Sequence, residues 1–163
     1  MPYPKRKHPR LKTYDYSLPG TYFITICTAD RRALLGSIAP EIAPERIACQ
    51  PSAYGACVLE LLQQWEARYP AAQIDHAVMM PNHIHLLLTL QDASDTDIAA
   101  MVGWFKSSAT RLCWKLGYPE KQLFQTSFYE HVVRSEAEYQ KIWEYIDTNP
   151  LKWALDRYYI PES

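Results

Sequence analysis

The sequence predicts an α+β fold built on a four-stranded antiparallel sheet, and three observations predict it. Segments with strand and helix patterns follow one another in the order β, α, β, β, α, β, and a last helix comes after them. The turn Pro81-Asn82 separates the two central strands, as in a hairpin. With 163 residues, of which 48% are apolar, the chain can bury one core. We therefore expect a single ferredoxin-like domain over residues 1–163, with an added C-terminal helix.

The first strand is predicted over residues 22–28, which follow a Pro-Gly turn signal and are rich in aromatic and β-branched side chains. Residues 30–50 contain Pro40 and Pro44 and have weak periodicity. We interpret these residues as a long connection that can include a short hairpin.

The first helix is predicted to begin near Ser52, and its apolar positions recur at helical spacing until Pro70 ends it. Residues 73–80 and 83–90 have strand patterns on either side of the central turn. They are predicted to form the central hairpin of the sheet.

A second helix, over residues 98–116, has the clearest apolar stripe of the chain. Residues 128–134 are predicted as the fourth strand, and Ser135 with Glu138 forms a capping box that opens a last helix, residues 135–149. The first two helices are expected to cover one face of the sheet. The opposite face is then available for the last helix and a ligand.

A basic arm, residues 1–14, opens a chain whose formal net charge is −1. Its basic residues are Lys5, Arg6, Lys7, Arg10 and Lys12. Such an arm can lie along phosphates or can be a solvated tail. The longest apolar run, residues 86–90, is too short to cross a bilayer, and we expect a cytoplasmic protein without a membrane anchor.

Two histidines lie on the strand that follows the central turn. Because side chains alternate along a strand, His83 and His85 share one face, while Ile84 lies on the other. Two neutral imidazoles can hold one metal ion and leave positions open for a substrate phosphate, although hydrogen-bonded structural histidines give the same pattern. Histidine-triad hydrolases need a third histidine where this chain has Leu87, and two-histidine phosphodiesterases need a repeated His-x-Thr motif that the chain lacks.

The last helix carries Tyr145 and Asn149 together on the flank of its apolar stripe. A phenol with a pKa of about 10 is a weak nucleophile at neutral pH and needs a polarised target. A metal ion on the phosphate supplies that polarisation. The side-chain oxygen of Asn149 would join the two histidines in a ligand set that suits Mg²⁺ or Mn²⁺ better than zinc. Ordinary amphipathic helices that end at Asn-Pro have the same pattern.

Several blocks of the sequence, taken together and in order, resemble the HUH-type single-tyrosine transposases, and specifically the branch of REP-associated tyrosine transposases. The resemblance spans nearly the whole chain. Its blocks are Arg10-Leu11-Lys12, residues 14–17, Pro19-Gly20, residues 22–28, Met80-Pro81-Asn82-His83-Ile84-His85, residues 104–107, residues 128–134, Tyr145-Ile146, Asn149-Pro150 and Lys152-Trp153.

The resemblance implies that His83, His85 and Asn149 hold Mg²⁺ or Mn²⁺ and that Tyr145 is the nucleophile. It further implies attack on a phosphodiester of single-stranded DNA, which gives a 5′-phosphotyrosine and a free 3′-hydroxyl. Rejoining then needs no ATP, because the phosphotyrosine preserves the energy of the broken bond. The expected substrates are the imperfect hairpins of repeated extragenic palindromes. Both a monomer and a homodimer are compatible with the sequence.

Charge and position favour Lys106, Arg111, Arg134 and the basic arm as DNA contacts. Thr126 stands where we expect arginine in many relatives, which argues against a DNA contact at that position.

The residues leave alternatives open. The main alternative function is a ferredoxin-like module that binds single-stranded nucleic acid by stacking and cuts nothing. A third is a metal-dependent phosphodiesterase that uses activated water. Tyr129 and Tyr139 are alternative nucleophiles, and we interpret His76 and His131 as structural or supporting residues.

Overall fold

The main sheet has four antiparallel strands, in a computed structural model that describes residues 19–38, 47–91 and 97–155. In chain order the strands are β1 (Gly20–Cys27), β4 (Ala72–Met80), β5 (His83–Leu90) and β6 (Tyr129–Val133). Their order across the sheet is β4-β5-β1-β6. This is the ferredoxin-like arrangement, so the predicted fold class is confirmed. The basic arm, with Lys5, Arg6, Lys7, Arg10 and Lys12, lies outside the described residues.

Three α-helices accompany this sheet in the described part of the chain: α1 (Ala53–Arg68), α2 (Ile98–Lys115) and α3 (Glu136–Asp147). Each begins after a polar N-cap whose side chain accepts a backbone N–H of the first turn; the caps are Ser52, Asp97 and Ser135. One half of the capping box predicted at α3 forms, because Ser135 accepts from the Glu138 N–H. The Glu138 carboxylate instead contacts His131 on β6, with 2.5 Å between its Oε1 and His131 Nε2.

The connection after β1 contains a short 3-10 turn, Ala29–Arg31, and a two-stranded pairing of β2 (Gly36–Ser37) with β3 (Gln50–Pro51). The long connection with a short hairpin is therefore confirmed at its two ends, while residues 39–46 lie outside the described residues. β1 ends at Cys27, because Thr28 turns away to form an isolated bridge with Phe124.

Helices α1 and α2 cover one face of the sheet, as predicted. That face of β5 consists of four buried apolar residues, Ile84, Leu86, Leu88 and Leu90. They pack with Val58, Leu61 and Trp65 of α1, with Met101, Val102 and Phe105 of α2, and with Tyr22, Ile24 and Ile26 of β1. Burial of side chains of this size stabilises the fold by about 1.5–3 kcal/mol each, so this face is the main source of stability.

Helix α3 lies on the opposite face, against β4 and β5. Its buried Ile146 packs with Phe23 and Cys27 of β1 and with Leu87 of β5. Across residues 19–38, 47–91 and 97–155, no helix is both long and apolar enough to cross a membrane.

Candidate active site

The two histidines of β5 lie on the face that α3 covers. Both are fully buried, and their ring centroids are 4.6 Å apart. The pairing of β1 with β5 places Cys27 opposite His83 and Thr25 opposite His85. The predicted alternation of β5, with apolar residues on one face and histidines on the other, is therefore observed.

Asn82, the second residue of the hairpin turn, determines which nitrogen of His83 carries hydrogen. Its Oδ1 lies 2.7 Å from His83 Nδ1. Its Nδ2 donates to the carbonyl oxygen of Arg31 at 3.2 Å, which fixes the orientation of the amide. His83 therefore donates from Nδ1, and its Nε2 keeps a lone pair.

Thr25 is the hydrogen-bond partner of the corresponding nitrogen of His85. Its Oγ1 lies 2.8 Å from His85 Nδ1 across the β1-β5 pairing, and both side chains are buried. In the tautomer in which Nδ1 donates to this hydroxyl, Nε2 has the lone pair. A partner on the second ring nitrogen is the usual way in which proteins orient histidine ligands of metals.

Burial keeps both imidazoles neutral. Burial lowers the pKa of His83 to about 3, although the contact with Asn149 acts in the opposite direction. Burial lowers the pKa of His85 well below its usual value, and the positive charge that His83 has when protonated acts in the same direction. Neutral imidazole is the form that can bind a metal ion, so burial keeps both rings in a form that could act as a ligand near neutral pH.

Asn149, just beyond α3, completes this group. Its buried side chain places Oδ1 at 3.4 Å from His83 Nε2, while its Nδ2 donates to the carbonyl oxygen of Tyr145 at 3.3 Å. With Nδ1 of His83 as the donor, the 3.4 Å contact joins two acceptor atoms, an arrangement that a cation would stabilise. The described ranges contain no group of three His, Cys, Asp or Glu side chains that could hold a metal ion, so a metal site here would have to use the two imidazoles and the amide oxygen of Asn149.

Tyr145 packs directly on this group. Its ring centroid lies 5.2 Å from that of His85, and 6.1 Å from that of Phe23, to which the ring is almost perpendicular at 88°. Such edge contacts restrict the rotamer of a tyrosine. α3 therefore brings the ring of Tyr145 to the two histidines within one chain.

The other two tyrosines that the sequence left open have different surroundings. The Tyr139 hydroxyl donates to Asp75 Oδ2 at 2.9 Å, and burial together with this hydrogen bond raises its pKa to about 12. Asp75 also accepts from Thr89 Oγ1 at 2.6 Å. Tyr139 thus anchors α3 to the sheet. Tyr129 contacts Phe23, with their centroids 6.1 Å apart.

His76 and His131 occupy the flanks of α3. His76 stacks on Trp143 with centroids 4.3 Å apart, and its Nε2 lies 3.3 Å from Asp147 Oδ1. His131 bonds Glu138 from the other side of the helix. Both contacts hold α3 in place, as the structural interpretation of these two residues predicts.

Four residues around the site were not singled out as site residues from the sequence: Phe23, Thr25, Asn82 and Trp153. The Trp153 ring is stacked over that of His83 with centroids 6.4 Å apart, and it lies in a 3-10 segment, Pro150–Leu155. The pairing register of β1 with β5 could have identified Thr25, and the position next to His83 could have identified Asn82. The same register places Phe23 opposite Leu87 on that face, whereas nothing in its own segment places Trp153 over His83.

The candidate DNA contacts are dispersed. Lys106 Nζ donates to the carbonyl oxygens of Gln125, Thr126 and Ser127 at 2.7, 3.0 and 3.2 Å. Arg111 is exposed on α2, with a hydrogen bond of 3.3 Å to Ser108, and Arg134 is exposed just after β6. Among the described groups, none of these three side chains contacts His83 or His85.

Comparison with known proteins identifies relatives of this chain. The family described as "Transposase IS200 like" matches residues 21–149. An uncharacterized protein of Haemophilus influenzae is 30% identical over 176 aligned positions, which cover 95% of this chain and 93% of the relative. A REP-associated tyrosine transposase of Escherichia coli is 30% identical over 80 positions, 49% of this chain and 45% of the relative.

A solved structure of a REP-associated tyrosine transposase bound to a REP hairpin has the same fold. Its TM-score is 0.66 at 23% identity, and the match covers 88% of this chain and 73% of that chain. The resemblance found in the sequence motifs is therefore confirmed. Because the family match extends over most of the sheet and all three helices, the chain belongs to the IS200-like transposase family and is similar to the REP-associated tyrosine transposases.

Proposed function

We propose that this protein cuts and rejoins single-stranded DNA through a covalent bond to Tyr145, with Mg²⁺ or Mn²⁺ held by His83, His85 and Asn149. The observation that supports this most is the 5.2 Å separation of the Tyr145 and His85 rings, on the face where Asn149 meets His83. Family membership supplies the class of reaction, because transposases break and join DNA strands.

The chemistry follows from these groups. His83, His85 and Asn149 would hold the metal ion, which would polarise the scissile phosphate and offset its developing charge. Tyr145 Oη forms a bond to phosphorus while the bond from phosphorus to the 3′ oxygen breaks. The phenol proton passes to solvent, and the 3′ oxygen takes up a proton to become a hydroxyl. Rejoining is the reverse reaction, in which the 3′-hydroxyl attacks the 5′-phosphotyrosine and the phenol leaves.

The side chains that do not react keep the reacting ones in place. Asn82 holds His83 in the ligating tautomer, and Thr25 orients the ring of His85 through its Nδ1. Phe23 orients the phenol ring. A single chain contains the complete set of groups, which supports assembly of the site within one protomer.

Hairpins of repeated extragenic palindromes are the proposed substrates. The support is the similarity to REP-associated tyrosine transposases, one of which was solved with a REP hairpin. The covalent step requires an unpaired strand that can enter the site, so we place the cleaved bond in a single-stranded flank of the hairpin.

The test is a covalent trapping assay. A hairpin oligonucleotide with a single-stranded flank and a label at its 3′ end is incubated with the protein and Mn²⁺. Because the tyrosine keeps the 5′ phosphate of the downstream fragment, the label should migrate with the protein on a denaturing gel. Tyr145→Phe and chelation of the metal should each abolish this band, while Tyr139→Phe on the same helix should retain it.

Three outcomes would contradict the proposal. A band that survives Tyr145→Phe would assign the nucleophile to another residue. Cleavage without any adduct, unaffected by Tyr145→Phe, would favour attack by activated water. Metal-independent binding with no cleavage under any metal would favour the non-catalytic binding module.

A further inference from the structure

A groove of about 610 Å³ lies between α2 and residues 121–128, and its lining includes none of the candidate active-site residues. Its lining residues share one property, which is that none is acidic. They include Lys106, Arg111 and Trp114 of α2, and Lys121, Gln125 and Phe128 of the facing segment. In a chain with a formal net charge of −1, a groove with three basic and no acidic residues is complementary to an anion.

Trp114 gives this groove an aromatic surface. Its side chain is 48% exposed, which is unusual for so large an apolar group. Its Nε1 donates to the carbonyl oxygen of Glu120 at 2.8 Å, so the indole is held in one orientation. A fixed and exposed indole is a surface on which a nucleic-acid base can stack.

Arg111 and Lys121 are the cations available to a ligand in the groove. Arg111 lies one helical turn before Trp114 and is exposed, and Lys121 is exposed on the opposite wall. Lys106 has a different task, because its ammonium group already donates to three carbonyl oxygens of residues 125–127. Burial lowers the pKa of Lys106 to about 8, as expected for an ammonium group enclosed by the protein.

The wall formed by residues 121–128 connects the groove with the active site. β6 ends its pairing with β1 at Thr25, and beyond this point Gln125 N donates to the carbonyl oxygen of Cys27 at 2.8 Å. Cys27 is the register partner of His83. One end of the groove wall therefore lies one strand away from the proposed metal ligands.

We propose that this groove binds the single-stranded DNA that continues from the cleavage site. Phosphates lie against Arg111 and Lys121, and a base stacks on Trp114. Basic groups together with exposed aromatic rings are how proteins bind single strands without reading their sequence. The inference rests on the proposed function in naming DNA as the ligand, but it concerns binding and not the chemical step.

The test measures affinity in the Tyr145→Phe background, where no covalent product can form. Two labelled hairpins are compared by fluorescence anisotropy, one with a single-stranded flank of about ten nucleotides and one without it. Trp114→Ala should weaken binding of the flanked hairpin about 5- to 150-fold, since stacking on an aromatic ring contributes that much per base. Trp114→Phe should restore most of the affinity.

The two cations are tested through salt dependence. For the flanked hairpin, the double variant Arg111→Ala/Lys121→Ala should reduce the slope of log affinity against log salt by about 1.4, since each phosphate contact to a single strand contributes about 0.7. Lys115→Ala is the matched control, because Lys115 is an exposed cation of α2 outside the groove, and it should leave the slope unchanged.

Two results would overturn the inference. The first is an affinity for the flanked hairpin that is the same in Trp114→Ala, in Arg111→Ala/Lys121→Ala and in Lys115→Ala. It would show that the strand does not enter the groove. Equal losses with and without the flank would assign the groove to the duplex stem. Neither result changes the outcome of the Tyr145 adduct assay. Absence of an adduct would likewise not change these differences in affinity, so the two proposals can fail separately.

Discussion

Leu86 and Leu87 are consecutive residues of β5 and are both fully buried, but they lie in different surroundings. Leu86 belongs to the large apolar core under α1 and α2. Leu87 lies under α3 with Phe23, Cys27 and Ile146, on the face of the buried histidines. One strand therefore supplies stability on one side and candidate chemistry on the other.

The difference shows how the fold tolerates an expensive site. Buried polar groups reduce stability unless they are hydrogen-bonded, and on the α3 face each of the two buried histidines has a side-chain partner at Nδ1. Thr25 pairs with His85, and Asn82 pairs with His83. On β5 the opposite face consists of buried apolar residues, and their burial can offset the free-energy cost of this arrangement.

Truncating each of the two leucines tests this division most directly. Leu86→Ala should reduce the free energy of unfolding by about 2–5 kcal/mol, because it leaves a cavity in the main core. The folded variant should bind Mn²⁺ as the wild type does. Leu87→Ala should also destabilise, but it should in addition lower the rate of adduct formation, since it removes a support of α3. Urea denaturation and the trapping assay measure these effects; equal adduct rates in the two variants would contradict the division.

Tyr139→Phe tests whether the polar contacts of α3 contribute to stability. It removes a hydrogen bond to a carboxylate, and we expect a loss of about 1.5–3 kcal/mol in urea denaturation. Since the folded-state pKa of Tyr139 is raised to about 12 from its usual value near 10, its contribution is complete below pH 10. It should disappear as the pH rises from about 10 to 12, and Tyr139→Phe should lack this pH dependence.

Asn82→Ala separates positioning from ligation. The variant leaves His83 in place but removes the acceptor of its Nδ1 hydrogen, so we expect Mn²⁺ affinity to fall about 10- to 100-fold. Asn82→Asp keeps an acceptor oxygen and should retain affinity. Isothermal titration with Mn²⁺ provides the measurement. Unchanged affinity in Asn82→Ala would mean that the turn amide has only a structural role.

Much of the fold was predictable because its signals are local. The alternation of residues 83–90, the Ser52 cap and the stripe of α2 each depend on neighbours within one element. The half-formed capping box shows the limit of such signals. The partner that draws Glu138 away, His131, is on another element, and the sequence does not show that the two side chains meet.

The sequence by itself determined which residues share a face, because the periods of strands and helices place His83 with His85 and Tyr145 with Asn149. Only the tertiary structure decided that these two pairs meet, that Lys106 is enclosed by carbonyl oxygens, and that Trp114 stands beside a basic groove. The physical reason is that a local pattern specifies the direction of a side chain relative to its own element, whereas contacts between elements depend on how those elements pack.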